Sequence, residues 1–142
     1  MPDFLKDSLS RHCWAVRFRS PRRYQESVKD YYRLITGVDT VVGQVRSELK
    51  QRGLSENIVI IFTSDHGFFL GEYGFSGKWT PHDVSIRVPL VIFDPRLGPD
   101  QRGIRWPEMT LAIDIDPTML FCADLDVTGS DTGRKPHECG YW

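Results

Sequence analysis

Val28, Tyr31, Ile35, Val38, Val42, Val45 and Leu49 recur at alternating steps of three and four. This spacing predicts one long amphipathic helix, with Lys29, Arg33, Arg46 and Lys50 mostly off the apolar stripe. Ser20-Pro21 predicts its start, a hydroxyl N-cap followed by proline in the first turn. Gly53 suits a left-handed C-cap. The period then changes. Ile58-Val59-Ile60-Ile61-Phe62-Thr63 is a continuous apolar, β-branched run and predicts a strand covered on both faces. Val88-Pro89-Leu90-Val91-Ile92-Phe93 predicts a second buried strand, with proline near its entry and Asp94-Pro95 as its stop. A short strand around Leu111 to Ile113 and a helix capped by Asp116, with Pro117 in its first turn, are expected next. Residues 1–19 show no clear period and read as an irregular arm. The glycine-rich loop from Phe68 to about Asp83 is expected to hold little regular structure, and the tail from Thr128 to Trp142 reads as irregular. Helix followed by strand, repeated, predicts an α/β fold on a mostly parallel sheet with flanking helices.

Composition narrows the functional classes. The 142 residues suffice for one domain with a core, and 40% hydrophobic against 26% charged content is that of an ordinary soluble protein. A net charge of -1 provides no basic surface, so no nucleic-acid partner is expected. The longest apolar run, Ile58 to Phe62, is too short for a membrane span, and no membrane association is expected. No signal peptide is visible near Met1, which leaves the cytoplasm as the default expectation; for a fragment this says little about the parent protein. Cys13, Cys122 and Cys139 form no CxxC pair, against both a disulfide framework and a structural zinc site.

Candidate chemistry gathers after the first buried run. Ligands of open parallel sheets collect at the carboxyl ends of strands, where Asp65 and His66 stand. A carboxylate and an imidazole are both metal ligands, and the carboxylate favours a hard divalent cation. The alternative is an N-cap aspartate beside a histidine packed under a loop, and local sequence leaves both open. Gly71, Gly74 and Gly77 deliver Lys78 on a tight loop, where its ammonium suits an oxyanion; a solvated surface lysine is the plainer alternative. A P-loop is excluded, because five residues separate Gly71 from Gly77 and Trp79 follows the lysine. His82 and Asp83 add an imidazole and a carboxylate, with a loop hydrogen bond as the simpler role. Arg87 reads as an ion-pair partner, and no Gly-x-Ser-x-Gly elbow supports a serine hydrolase.

Thr63-Ser64-Asp65-His66-Gly67-Phe68-Phe69-Leu70-Gly71-Glu72-Tyr73-Gly74, continuing through Gly77-Lys78-Trp79 to Ser85-Ile86-Arg87-Val88-Pro89-Leu90, resembles the sulfatase family of the alkaline phosphatase superfamily. Tyr32 to Asp39 is similar to the helix before the family's metal-binding strand. Ile113-Asp114-Ile115-Asp116-Pro117-Thr118-Met119-Leu120 resembles a later family segment, and Gly133-Arg134 falls where the family often turns. The resemblance implies a partial alkaline-phosphatase/sulfatase-like fold: an irregular arm over 1–19, a partial sulfatase catalytic domain over 20–135 and a truncated tail over 136–142. It implies hydrolysis of a sulfated small molecule or glycan by a formylglycine nucleophile with a divalent cation, expected to be Ca2+. Asp65 matches the cation-ligating aspartate, and His66 the adjacent position that carries Asn or His. Lys78 matches the sulfate-contacting catalytic lysine, and His82 is assigned with it to substrate binding.

Departures from the family pattern are equally specific. No segment, Cys13-Trp14-Ala15-Val16-Arg17 included, fits the C/S-x-P-S-R motif that yields formylglycine. The early metal-binding aspartate pair and the upstream active-site histidine and lysine are also unmatched, and Tyr73 stands where many members have histidine. The expectation is therefore a carboxyl-terminal portion of a sulfatase catalytic domain, inactive alone, whose partner is the missing amino-terminal half. A phosphodiester or phosphonate hydrolase of the same superfamily, and a non-catalytic remnant, are the alternatives.

Overall fold

A computed structural model describes residues 1–125. The expected tail, the Gly133-Arg134 turn and the 135/136 boundary lie outside the described residues. Two compact units share the chain, one formed by Met1–Asn57 and Ile61–Ile92, the other by Ile58–Ile60 and residues from Phe93 on.

In the first unit, helices α1 (Asp3–Lys6) and α2 (Leu9–Arg17) replace the irregular arm expected over 1–19. Ser8 caps α2 by accepting a hydrogen bond from the Arg11 backbone N–H at 3.3 Å. A nine-residue helix is marginal on its own, so tertiary contacts must hold it. Those contacts are polar, which explains why no apolar period betrays the helix. The Ser10 hydroxyl donates to the Ser76 carbonyl at 3.0 Å, and Arg11 donates to the Gly74 carbonyl at 2.9 Å.

Helix α3 (Pro21–Gln51) begins and ends where the pattern places it. Ser20 Oγ accepts from the Arg23 N–H, and Pro21 occupies the first turn, where its missing N–H costs nothing. At the other end Gly53 adopts φ +68°. Its N–H bonds the Lys50 carbonyl at 3.1 Å and the Leu54 N–H bonds the Leu49 carbonyl at 2.9 Å, the paired bonds of a Schellman cap. No residue of α3 is fully buried.

Strands β1 (Ile60–Thr63) and β4 (Leu90–Phe93) arise from the two apolar runs and form one two-stranded sheet. The expected cover on both faces is not present, because Phe62, Val91 and Phe93 are exposed. The loop expected from 68 to 83 contains β2 (Phe69–Leu70), a 3-10 turn at Glu72–Gly74, β3 (Ser76–Gly77) and the start of α4 (Asp83–Ile86). β2 and β3 pair antiparallel, with Phe69 opposite Gly77 and Leu70 opposite Ser76. Helix and strand mix as expected of the α/β class, and the described residues carry two two-stranded sheets. The buried apolar core consists of Phe18, Phe69 and Phe75, with Phe69 and Phe75 edge to face at 5.7 Å.

In the second unit, a 3-10 turn at Ala112–Asp114 replaces the strand expected at 111–113. Asp114 rather than Asp116 precedes helix α5 (Ile115–Cys122), so Asp116 and Pro117 lie inside it. The Asp114 carboxylate draws the chain into this turn by accepting from the Leu111 N–H at 2.8 Å. Arg96 grips the buried Asp94 carboxylate through Nε and Nη2, at 2.9 and 2.7 Å.

Candidate functional site

β1 ends at Thr63, and the next four residues turn away from the sheet. The Ser64 hydroxyl donates to the His66 carbonyl at 3.0 Å and tightens the turn. His66 Nδ1 lies 2.8 Å from the Gly67 carbonyl oxygen. A carbonyl only accepts, which assigns the ring proton of neutral His66 to Nδ1 and leaves a lone pair on Nε2. That nitrogen stands 3.4 Å from Asp65 Oδ1. Two acceptors thus face each other with no proton between them, and the Asp65 side chain is 79% exposed.

The spacing is compatible with a shared cation. Ligand atoms about 2.4 Å from one hard cation, at about right angles, sit about 3.4 Å from each other. The donor set, one carboxylate oxygen and one imidazole nitrogen, suits a divalent ion. Among the described residues no third His, Cys, Asp or Glu joins to make a complete ligand group.

Gly67 locks this turn to α4. Its N–H bonds the Ser85 carbonyl at 2.8 Å, and a Cβ at position 67 would collide with the Val84 carbonyl and lie 2.8 Å from that of Arg87. Only glycine permits so close a backbone approach. At the amino end of α4, the His82 carbonyl accepts from the Ser85 N–H at 2.8 Å. The His82 ring packs among Phe69, Tyr73 and Phe75 at centroid distances of 5.6, 5.2 and 5.9 Å, and its Nδ1 lies 2.9 Å from Thr80 Oγ1. Arg87 pairs with Asp83 at 2.7 Å on the exposed side of α4, the ion-pair role its sequence position suggests.

Lys78 directly follows β3. Carrying the β2–β3 register one step further sets it opposite Phe68, two residues beyond His66. It is half-buried and makes no hydrogen bond or ion pair among the described residues. Asp65 and His66 are therefore in direct contact, while Lys78 and His82 are held by neighbouring elements and hydrogen-bond to neither. Pattern reading did not single out the supporting residues. Arg17 of α2 donates to Ser76 Oγ at 3.2 Å and lies 5.9 Å over the Phe68 ring, and Tyr73 and Trp79 take left-handed backbone at φ 54° and 86°. Only the glycines around Lys78 signalled a backbone that needs positive φ.

With this geometry in view, relationships to known proteins become interpretable. The sulfatase family model matches residues 8–125, and the chain belongs to the sulfatase family. The match takes in α2, which the irregular reading of 1–19 left outside the domain. An N-acetylglucosamine-6-O-sulfatase from Bacteroides thetaiotaomicron is 32% identical over 113 residues, 80% of this chain and 20% of that protein. Mouse iduronate 2-sulfatase is 41% identical over 76 residues, 53% of this chain and 14% of the relative. A solved structure of a protein in complex with its substrate, D-glucosamine-2-N,6-O-disulfate, superposes with TM-score 0.62 at 32% identity, covering 80% of this chain and 22% of that one. The chain thus spans about a fifth of the length of such relatives.

Proposed function

We propose that this chain contributes the cation-binding and sulfate-binding part of a sulfate-ester hydrolase site. Asp65 and His66 hold a divalent cation, best matched by Ca2+, and Lys78 and His82 bind the sulfate. The observation that carries this reading is the 3.4 Å approach of His66 Nε2 to Asp65 Oδ1, with Nδ1 already committed to Gly67. The cation, when bound, supplies positive charge against the sulfate oxygens. Lys78, with no ion-pair partner among the described residues, offers a compact ammonium to an anionic ester and its developing charge. His82, wedged between aromatic rings, presents its imidazole from a fixed position. Gly67 keeps the Asp65–His66 turn seated on α4. The sequence contains no C/S-x-P-S-R segment, so the nucleophile must come from residues other than these 142. A sulfated sugar is the favoured substrate class, in keeping with the glucosamine disulfate bound by a structural neighbour.

The test is a calcium titration of the full chain followed by NMR. We expect shifts centred on Asp65, His66 and Gly67, saturating only above about a millimolar, because two ligands fall short of the six to eight that calcium prefers. Asp65→Asn and His66→Ala should each remove the response. Calcium-dependent shifts that survive both substitutions would refute the assignment.

A further inference from the structure

We propose that Trp79 is a platform for the sugar ring that bears the sulfate, and so a specificity-determining residue beside Lys78; this rests on the reading of Lys78 as the sulfate-binding lysine. Three observations converge on it. First, Trp79 has φ 86°, a backbone region that bulky side chains avoid and that persists where surrounding structure or function demands it. Second, its indole lies over Gly77. A Cβ at 77 would sit 2.6 Å from Trp79 Cζ3 and 3.2 Å from Cη2, so the ring rests on a bed that only glycine leaves free. Third, the side chain stays 60% exposed despite this support. A tryptophan placed for core packing would bury its surface and gain from it. Here a strained backbone and a close-packed glycine hold an indole that still faces outward, next to an ammonium that has no hydrogen-bond or ion-pair partner among the described residues.

That combination suits a ligand with a flat, weakly polar face and an anion at its edge. A pyranose sulfate has this chemistry: the C–H face of the ring stacks on the indole, its hydroxyls remain at the rim, and the sulfate reaches the neighbouring lysine. A free sulfate ion has no ring to stack and makes no use of the indole.

The full chain is titrated with glucosamine 6-sulfate, glucosamine and inorganic sulfate. Binding is followed by the indole N–H resonance of Trp79, assigned from its loss in Trp79→Phe, and by the Lys78 side-chain signals. Glucosamine 6-sulfate should move both and inorganic sulfate only Lys78. Trp79→Gly should weaken glucosamine 6-sulfate by about tenfold, the size of one aromatic stacking contact, and leave inorganic sulfate unchanged. Trp79→Phe should retain most of the affinity. Because glycine relieves the positive φ, Trp79→Gly should melt no lower than the parent chain. A large drop in melting temperature would make Trp79 structural and overturn the platform, as would equal affinity of Trp79→Gly for the sugar sulfate. Lys78→Ala separates the two readings, since it should abolish the response to inorganic sulfate. If the parent chain ignores inorganic sulfate and Lys78→Ala has no effect on either ligand, the anion site fails and the platform falls with it.

Discussion

At the scale of single residues, hydrogen bonds decide which atoms remain free for chemistry. His66 spends Nδ1 on its neighbour's carbonyl, and this fixes the nitrogen it can offer to a cation. Asp94 is the opposite case, a carboxylate consumed by structure. Its side chain is 1% exposed and takes both a backbone N–H and the guanidinium of Arg96. Those hydrogen bonds hold its carboxyl below the usual carboxylate range, outweighing the burial that pushes the other way. A carboxyl lowered on folding contributes stability above its ordinary pKa and loses it as pH falls through the lowered folded value. Arg96→Ala should therefore lower stability near neutral pH, by a modest amount because Arg96 is itself exposed. The difference between parent and variant should close well below pH 3.8, the group's ordinary value, in urea melts across that range. A constant difference at every pH would show that Arg96 acts through packing rather than charge.

Elements follow from how locally their signals are written. Both ends of α3 are encoded within four residues of the terminus, by Ser20-Pro21 and by Gly53, and both were legible. Gly53→Ala places a Cβ in the left-handed region and should cost about 1 kcal/mol, read as a lowered denaturation midpoint and earlier hydrogen exchange in the last turn of α3. An unchanged midpoint would mean that the cap frays freely. Strands β1 and β4 were legible from their composition, but not their exposure, since which face is covered depends on neighbours that a run of isoleucine and valine does not specify. Helix α2 was hidden for a different reason. Its anchoring contacts are Ser10, Arg11 and Arg17 reaching β3 and its turn across some sixty positions of chain. Polar, long-range bonds leave no period. The Ala112–Asp114 turn was misread as a strand because its determinant is one carboxylate bonding back to one N–H, while the apolar residues around it suggested extension. At the site, Asp65 and His66 were legible from their place at a strand end. The left-handed backbone of Tyr73 and Trp79 was not, because nothing in a bulky aromatic announces positive φ.

For the molecule as a whole, the balance between buried and open apolar surface bears on activity. Among the described residues three phenylalanines make up the buried apolar core, while Leu34, Ile35, Val38, Val41 and Val45 of α3 stay open to solvent. In the proposed reading these residues offer a sulfate ester a lysine, a histidine and two cation ligands, without the C/S-x-P-S-R segment that yields the family's nucleophile. Positioning and fixed charge lower a barrier only when a nucleophile is present to use them. The 142-residue chain should therefore give no hydrolysis of 4-nitrophenyl sulfate above the rate without protein, with calcium present or absent. Mixing it with a polypeptide that carries a modified C/S-x-P-S-R segment from the family should restore turnover. The restored activity should then be lost with Lys78→Ala and Asp65→Asn. Turnover by the chain alone, retained in both variants, would place the nucleophile within these residues and dismantle the assignment from its chemical end.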